Sequence, residues 1–358
     1  MLIDLLLFAV GLTALIVGAD LLVYGASRVA SAAGVSPLVI GLTVVSLGTS
    51  APEAAVSIDA AMSGSTDLAL GNVIGSNIFN ILLILGLTAV IAPITVNSQL
   101  IRQEVPIMIG VSLLLIALIA DGALSRPESA VLLALLVVYI SFLVFQGKRK
   151  GKSLQADVES FVQASAEGGL SGMTHRLPAP LLILIGLALL VAGGHWLVTA
   201  ATSIAREFGV SELIIGLTVV ALGTSMPEVA TSIAAVLRGE RDIAIGNAVG
   251  SNLMNILGCL GAAGVVSANG LIAPPALLNF DIWVMLAAAV ICVPIIITGK
   301  LISRSEGMLL LAYCFAYLTY TLLVATHHDA LPAYSTAVIW VVGPLTALIL
   351  IMSMIRQR

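Results

Sequence analysis

Apolar stretches recur along the whole chain, each near the roughly 20 residues that a bilayer-crossing helix requires, and short polar segments part them. The pattern predicts eleven spans, at about 3–27, 36–62, 67–94, 103–121, 127–146, 179–204, 211–237, 242–268, 279–298, 305–326 and 336–354. The first stretch, MLIDLLLFAVGLTALIVGAD, lacks a basic n-region and a clear small-residue cleavage site. It is therefore expected to be a retained span rather than a signal peptide. The longest polar segment, at about 147–178, holds Lys, Glu, Ser, Gly and Gln without apolar periodicity and reads as a connector.

Composition agrees with the pattern. The chain is 59% hydrophobic and 9% charged, with a mean hydropathy of +1.14, whereas a soluble domain carries about 25% charged residues. A net charge of −4, with basic residues confined to short loops, argues against a nucleic-acid partner. The natural partner is the lipid bilayer; oligomeric state is left open. The three cysteines, Cys259, Cys292 and Cys314, lie in apolar stretches with no spacing pattern, which predicts free thiols. Positive residues collect in cytoplasmic loops. With the N-terminus outside, 13 of the 15 Lys and Arg residues fall on the inner side, and only Arg126 and Arg206 fall outside. The expected location is the cell (inner) membrane, with the central connector and the C-terminus cytoplasmic.

The chain also contains a duplication. Residues 35–86 align without gaps on 210–261, a constant offset of 175, with 32 of 52 positions identical. GLTVVSLGTSAPE (Gly41–Glu53) matches GLTVVALGTSMPE (Gly216–Glu228), and GNVIGSNIFNIL (Gly71–Leu82) matches GNAVGSNLMNIL (Gly246–Leu257). Each copy spans five helices, an odd number, so the second enters the membrane from the opposite side. The predicted fold is an all-α polytopic membrane protein of two inverted five-helix repeats, a ten-helix core, plus one extra C-terminal helix. The division is 1–146 for the first repeat, 147–178 for the connector, 179–328 for the second repeat and 329–358 for the additional helix. Inverted duplications are typical of secondary transporters, whose sites lie near the midplane. The glycines alone are equally well explained as helix-packing residues; the carboxylates and amides beside them are not.

Glu53 and Glu228 fall midway along spans 2 and 7. A carboxylate at the bilayer centre costs at least about 2.5–3.5 kcal/mol, so two at equivalent positions point to shared function rather than to structural hydrogen bonding. Pro52 and Pro227 precede them, and each proline denies a partner to the carbonyl four residues back, at Gly48 and Gly223. Ser76, Asn77 and Asn80, with Ser251, Asn252 and Asn255, add hydroxyl and amide oxygens. An all-oxygen set favours Ca2+ or Na+ over zinc or copper. Asp67 and Asp242 are expected to be helix N-caps. Asp20 and its equivalent His195 are expected to make an interhelical hydrogen bond. Asp59 has no acidic equivalent and reads as interfacial.

On these paired motifs the chain resembles the cation/calcium exchanger superfamily, and within it the prokaryotic sodium/calcium antiporters. The motifs cover about a quarter of the chain. The resemblance implies that Glu53 and Glu228 bind calcium and sodium alternately. It implies ligands at Thr49, Ser50, Ser76 and Asn80, and at Thr224, Ser225 and Ser251, with carbonyls of Ser46 and Ala221 one turn earlier. It also implies that spans 1 and 6 slide across the ligand core. Many relatives carry an aspartate where this chain has Asn255, which leaves two carboxylates among the matched positions and keeps proton coupling open.

The expected function is exchange of Ca2+ for Na+ by alternating access, with Ca2+ and Na+ as transported ions and no cofactor. A Ca2+/H+ exchanger on the same fold is the nearest alternative, and a cation channel is one from another class. No enzyme is expected, because the sequence shows neither a zinc-type His-Glu pattern nor a Ser/His pair in facing spans.

Overall fold

The computed structural model describes residues 2–150, 177–210, 221–297, 300–338, 340 and 343–344. Nine of the eleven expected spans are helical among the described residues. In chain order the helices are α1 (Leu2–Ala33), α2 (Pro37–Thr49), α3 (Ala51–Met62), α4 (Thr66–Ile91), α5 (Leu100–Leu118), α6 (Arg126–Lys150), α7 (Ala179–Glu207), α8 (Met226–Leu237), α9 (Arg241–Val266), α10 (Leu277–Ile295), α11 (Arg304–Ala325) and α12 (Leu331–Ala337). Among the described residues eight are long and apolar enough to cross a membrane, or nine with α2 and α3, bent by 45°, taken as one span. Span 7 is described only from Ala221 onward, and most of the expected eleventh span and of the connector lies outside the described residues.

The outer surface is what a lipid environment demands. Ile3, Ile16, Val137, Val138, Phe142, Leu184 and Phe315 face outward, while Ser46, Glu53, Ser57, Asn247, Ser251 and Asn255 are buried. With no water to satisfy backbone groups in hydrocarbon, lipid-facing elements must be helical. The helix ends use ordinary local chemistry. Gly34 adopts φ 62° just after α1, a left-handed position that suits a residue without Cβ. Ser303 and Glu306 form a reciprocal capping box at the start of α11.

The two repeats interlock through an antiparallel pairing of α1 with α7. A Cβ added at Gly11 would lie 2.9 Å from the Gly193 carbonyl, and one at Gly18 would lie 2.8 Å from the Gly186 carbonyl. Gly18 and Gly193 are equivalent under the offset of 175, as are Gly11 and Gly186. The contact is therefore symmetric about a two-fold axis, which is what inverted repeats require. Two short antiparallel ribbons cross between repeats in the same exchanged way, β1 (Ile94–Thr95) with β4 (Leu301–Ile302) and β2 (Ala123–Leu124) with β3 (Leu271–Ile272). Hydropathy gave no sign of these strands, because two-residue ribbons leave no periodicity.

Wider π-helical turns interrupt the spans at Gly41–Val45, Asn80–Leu85, Leu100–Glu104, Met254–Leu260 and Leu277–Asp281. Two of them begin at or beside the equivalent residues Asn80 and Asn255. Such turns re-aim side chains and occur often at functional sites. α4 and α9, which carry the second motif of each repeat, are the most enclosed spans.

One expectation is corrected here. Asp67 and Asp242 are not N-caps: the cap positions are Ser65 and Glu240, and the aspartates sit within the first turn. A carboxylate there still favours the positive end of the helix dipole, so the composition of the turn was right and the register was not.

Candidate ion-binding site

Span 2 breaks at Ser50, whose φ of −79° and ψ of 6° end α2 and start α3. Ser225 takes nearly the same conformation, φ −85° and ψ 4°, ahead of α8. Each proline then falls in the first turn of the new helix, where its missing N–H costs nothing. Each glutamate falls in that same turn, at the positive end of a helix dipole. The Gly-Thr-Ser-x-Pro-Glu run thus builds a break in the helix that presents a carboxylate in the first turn after it.

Glu53 and Glu228 are 0% and 1% exposed. Each is touched by the serine of the other repeat. Ser50 Oγ donates to Glu228 Oε1 at 3.2 Å, and Ser225 Oγ to Glu53 Oε1 at 3.4 Å. Ser76 Oγ lies 3.5 Å from Ser225 Oγ, which brings the second motif to the same point. The remaining oxygens, Glu53 Oε2 and Glu228 Oε2, have no protein partner. Thr224 Oγ1, Ser251 Oγ and Asn80 Oδ1 are likewise buried without one. Buried polar atoms are almost always satisfied, so a group of unpartnered oxygens marks a place for a bound cation or water.

The other sequence-derived candidates fall around this group. Thr49 Oγ1 donates to Asn247 Oδ1 at 3.0 Å. The Ser46 carbonyl accepts the Ser50 N–H at 3.0 Å and the Thr49 hydroxyl at 3.4 Å. Asn80 Nδ2 donates to Asn252 Oδ1 at 3.0 Å. Asn255 is fully buried, and its Oδ1 accepts the Cys259 thiol at 3.6 Å. Ala221 lies in a single helical turn, Ala221–Gly223, that leads into the second break. Asn77 is turned away from the carboxylates, with its amide on Met285 Sδ.

Sequence reasoning passed over three residues. Asn72 Nδ2 donates to the Glu53 carbonyl at 3.2 Å and to Ser57 Oγ at 2.9 Å. Its equivalent, Asn247, donates to the Glu228 carbonyl at 3.3 Å and to Ser232 Oγ at 2.9 Å. These amides tie each broken helix to the span that follows it. Their signal was present as the first Asn of both GN-x-x-GSN motifs, whose later Ser and Asn residues alone were weighed as oxygen donors. Cys259 is the third. Its thiol also lies 3.8 Å from the Ser50 carbonyl, whereas the equivalent position holds Ile84. No spacing rule could have placed it beside the other repeat's serine.

The arrangement can hold a hard cation. It offers two carboxylates and neutral hydroxyl and amide oxygens from both repeats, the donor type that Ca2+ and Na+ prefer. Asp20 and His195 do not share a partner. Asp20 pairs with Arg238, while His195 is exposed in a cleft. Asp59 is exposed on α3.

Comparison with known proteins bears on what such a site is for. The profile of the family described as "Sodium/calcium exchanger protein" matches residues 3–145 and 178–323. CaxA of Alkalimonas amylolytica is 42% identical over 320 residues, covering 88% of this chain and 98% of that protein. The inner membrane protein YrbG of Escherichia coli is 41% identical over 226 residues, covering 62% of this chain and 66% of that protein. A structure of the sodium-calcium exchanger NCX_Mj, soaked with 2.5 mM Na+ and 0.1 mM Ca2+, matches with a TM-score of 0.74 at 30% identity, covering 88% of this chain and 98% of that one.

Proposed function

Because this chain belongs to the sodium/calcium exchanger protein family, we propose that it is a secondary active antiporter that exchanges Ca2+ for Na+ at the site between Glu53 and Glu228. The observation that carries this reading is the crossed pair: two buried glutamates at equivalent positions of inverted repeats, each held on one oxygen by the other repeat's serine and each with its second oxygen unpartnered. The ligand set drawn from both repeats comprises Glu53, Ser50, Thr49, Ser76, Asn80 and the Ser46 carbonyl, with Glu228, Ser225, Thr224, Ser251, Asn255 and the Ala221 carbonyl.

The mechanism follows from charge. An ion-free site keeps two carboxylates in a low-dielectric interior, and their charge makes rearrangement costly. One Ca2+ or two Na+ neutralises the pair, so the loaded forms cross and the empty form does not. That difference enforces exchange. With Asn255 neutral, the simplest count is two Na+ per Ca2+; a reversal potential set by three Na+ per Ca2+ would contradict it. The distribution of positive residues supports an N-terminus outside and a central connector in the cytoplasm.

The test is uptake of radioactive calcium into proteoliposomes loaded with Na+, compared with Na+-free vesicles carrying an inside-acid pH gradient. Uptake that needs internal Na+ and is abolished by Glu53→Gln and by Glu228→Gln is the expected result. Uptake driven by the proton gradient alone would replace Na+ by H+ at the same site. The description of NCX_Mj as a sodium-calcium exchanger supports the Na+ reading, and the missing third carboxylate favours testing H+ in the same experiment.

A further inference from the structure

Inverted repeats carry a consequence for energy. The two-fold axis converts a conformation open on one side into one open on the other. If the repeats were identical, the two would have equal free energy. Any preference must come from residues that break the symmetry and from contacts made on one side only.

The contacts of α1 and α7 with the broken spans are unequal. α1 packs along α8, and Met226, Ala230, Ala234, Ala235 and Val236 join its apolar cluster. On α3 the equivalents of Met226, Ala230 and Ala234, namely Ala51, Ala55 and Asp59, are exposed together with Val56, whereas Ala60 and Ala61 are buried in the main core. Between that face and α7 lies a cleft of about 560 Å³ lined by Gly48, Ala51, Leu187, Val191, His195 and Trp196. The structure is thus closed where α1 meets α8 and open where α7 meets α3.

A polar cluster sits on the closed side. Arg238, at the end of α8, donates from Nε to Asp20 Oδ1 at 2.6 Å and pairs with it through its terminal nitrogen as well. Its guanidinium stands 5.7 Å from the centre of the Tyr24 ring. Ser27 Oγ donates to Glu240 Oε1 at 2.5 Å. Both acceptor and donor sides of this cluster join α1 to the corner between α8 and α9. The equivalent positions under the offset of 175 are His195, Ser63, Thr199, Thr202 and Ser65. They include no carboxylate and no guanidinium, so the ion pair cannot re-form when the open side closes.

We propose that the Asp20–Arg238 pair, with Tyr24, Ser27 and Glu240, is a one-sided latch that stabilises the state in which α1 is seated on α8 and α7 stands away from α3. The inference rests on the antiport reading only for the meaning of the two states. The latch itself is a property of the purified protein.

The test uses two nitroxide labels, at Met62→Cys on the end of α3 and Phe208→Cys beyond the end of α7. Both native residues are exposed, and the three native cysteines are buried. Pulsed dipolar spectroscopy then reads the populations with α7 apart from and seated on α3. Removing an ion pair with the modest energy of exposed or half-exposed pairs shifts an equilibrium by about 1.4- to 5-fold. Asp20→Asn is expected to raise the seated population relative to the open one by that factor. Asp20→Lys, which adds repulsion from Arg238, should raise it further, and Asp20→Lys with Arg238→Asp should return it towards the parent ratio. A parent-like ratio in both single variants would overturn the latch. A shift in Asp20→Asn without recovery in the charge-swapped pair would overturn it as well. Calcium uptake that needs Na+ alongside unchanged distances would sink the latch alone. Shifted distances alongside uptake driven only by protons would sink the Na+ reading alone.

Discussion

Asn247→Ala and Asn72→Ala form a pair in which each variant controls for the other. Both asparagines stand at the same position of their repeats and donate to a glutamate carbonyl and to a serine one turn beyond. They differ in one contact. Asn247 Oδ1 accepts the Thr49 hydroxyl, whereas Thr224 Oγ1, the equivalent of Thr49, has no partner. A buried hydrogen bond contributes about 1 kcal/mol net. Three lost bonds should therefore cost about 3 kcal/mol in Asn247→Ala, and two should cost about 2 kcal/mol in Asn72→Ala. Asn247 is fully buried and Asn72 only half-buried, so the cavity left at Asn247 adds to the larger cost there, and the double-mutant cycle is what separates the hydrogen bond from it. Reversible unfolding in mixed micelles measures both. A double-mutant cycle isolates the extra bond: Thr49→Val should cost up to about 1 kcal/mol in the parent and close to nothing in Asn247→Ala. Less would be lost where the hydroxyl falls back on the Ser46 carbonyl at 3.4 Å. Because Asn247 also anchors the Glu228 backbone, the calcium concentration for half-maximal uptake should rise in the same variant. Equal costs for the two asparagines, or no coupling to Thr49, would refute the argument.

Other outcomes follow from the same geometry. Asn255→Asp adds a third carboxylate to a fully buried position and should raise the number of Na+ exchanged per Ca2+, read from the reversal potential. Ser50→Ala and Ser225→Ala should weaken calcium uptake by similar factors, since each removes one hydroxyl from one glutamate across the two-fold; a large effect of one alone would show that the ion binds asymmetrically. Gly18→Leu should destabilise the protein by about 1–3 kcal/mol or more, because a side chain there meets the α7 backbone with no flexible atom to yield. Gly64→Ala lies in open space at φ 82°, so thermal unfolding should show only the modest strain of a left-handed backbone.

Much of this protein was determined by its sequence alone. A bilayer asks for apolar length, and apolar length is written residue by residue, so the spans could be counted directly. The offset of 175 between copies made the inverted repeat legible, because an odd number of crossings turns the second copy over. Glu53 and Glu228 stood out because a carboxylate has no ordinary place in such a stretch. Contacts between elements far apart in the chain were decided only by the tertiary structure. Ser50 reaches Glu228 and Ser225 reaches Glu53, a crossing that no spacing encodes. Asn72 and Asn247 gained their meaning as ties only when the carbonyls they bind came into view. The caps at Ser65 and Glu240 depended on where the backbone turned, two residues from where composition placed them. The pairing of Asp20 with Arg238, while His195 lines an open cleft, depended on which face of α8 met α1. Local periodicity reports the environment of one segment; the partner it meets is fixed by the packing of all of them.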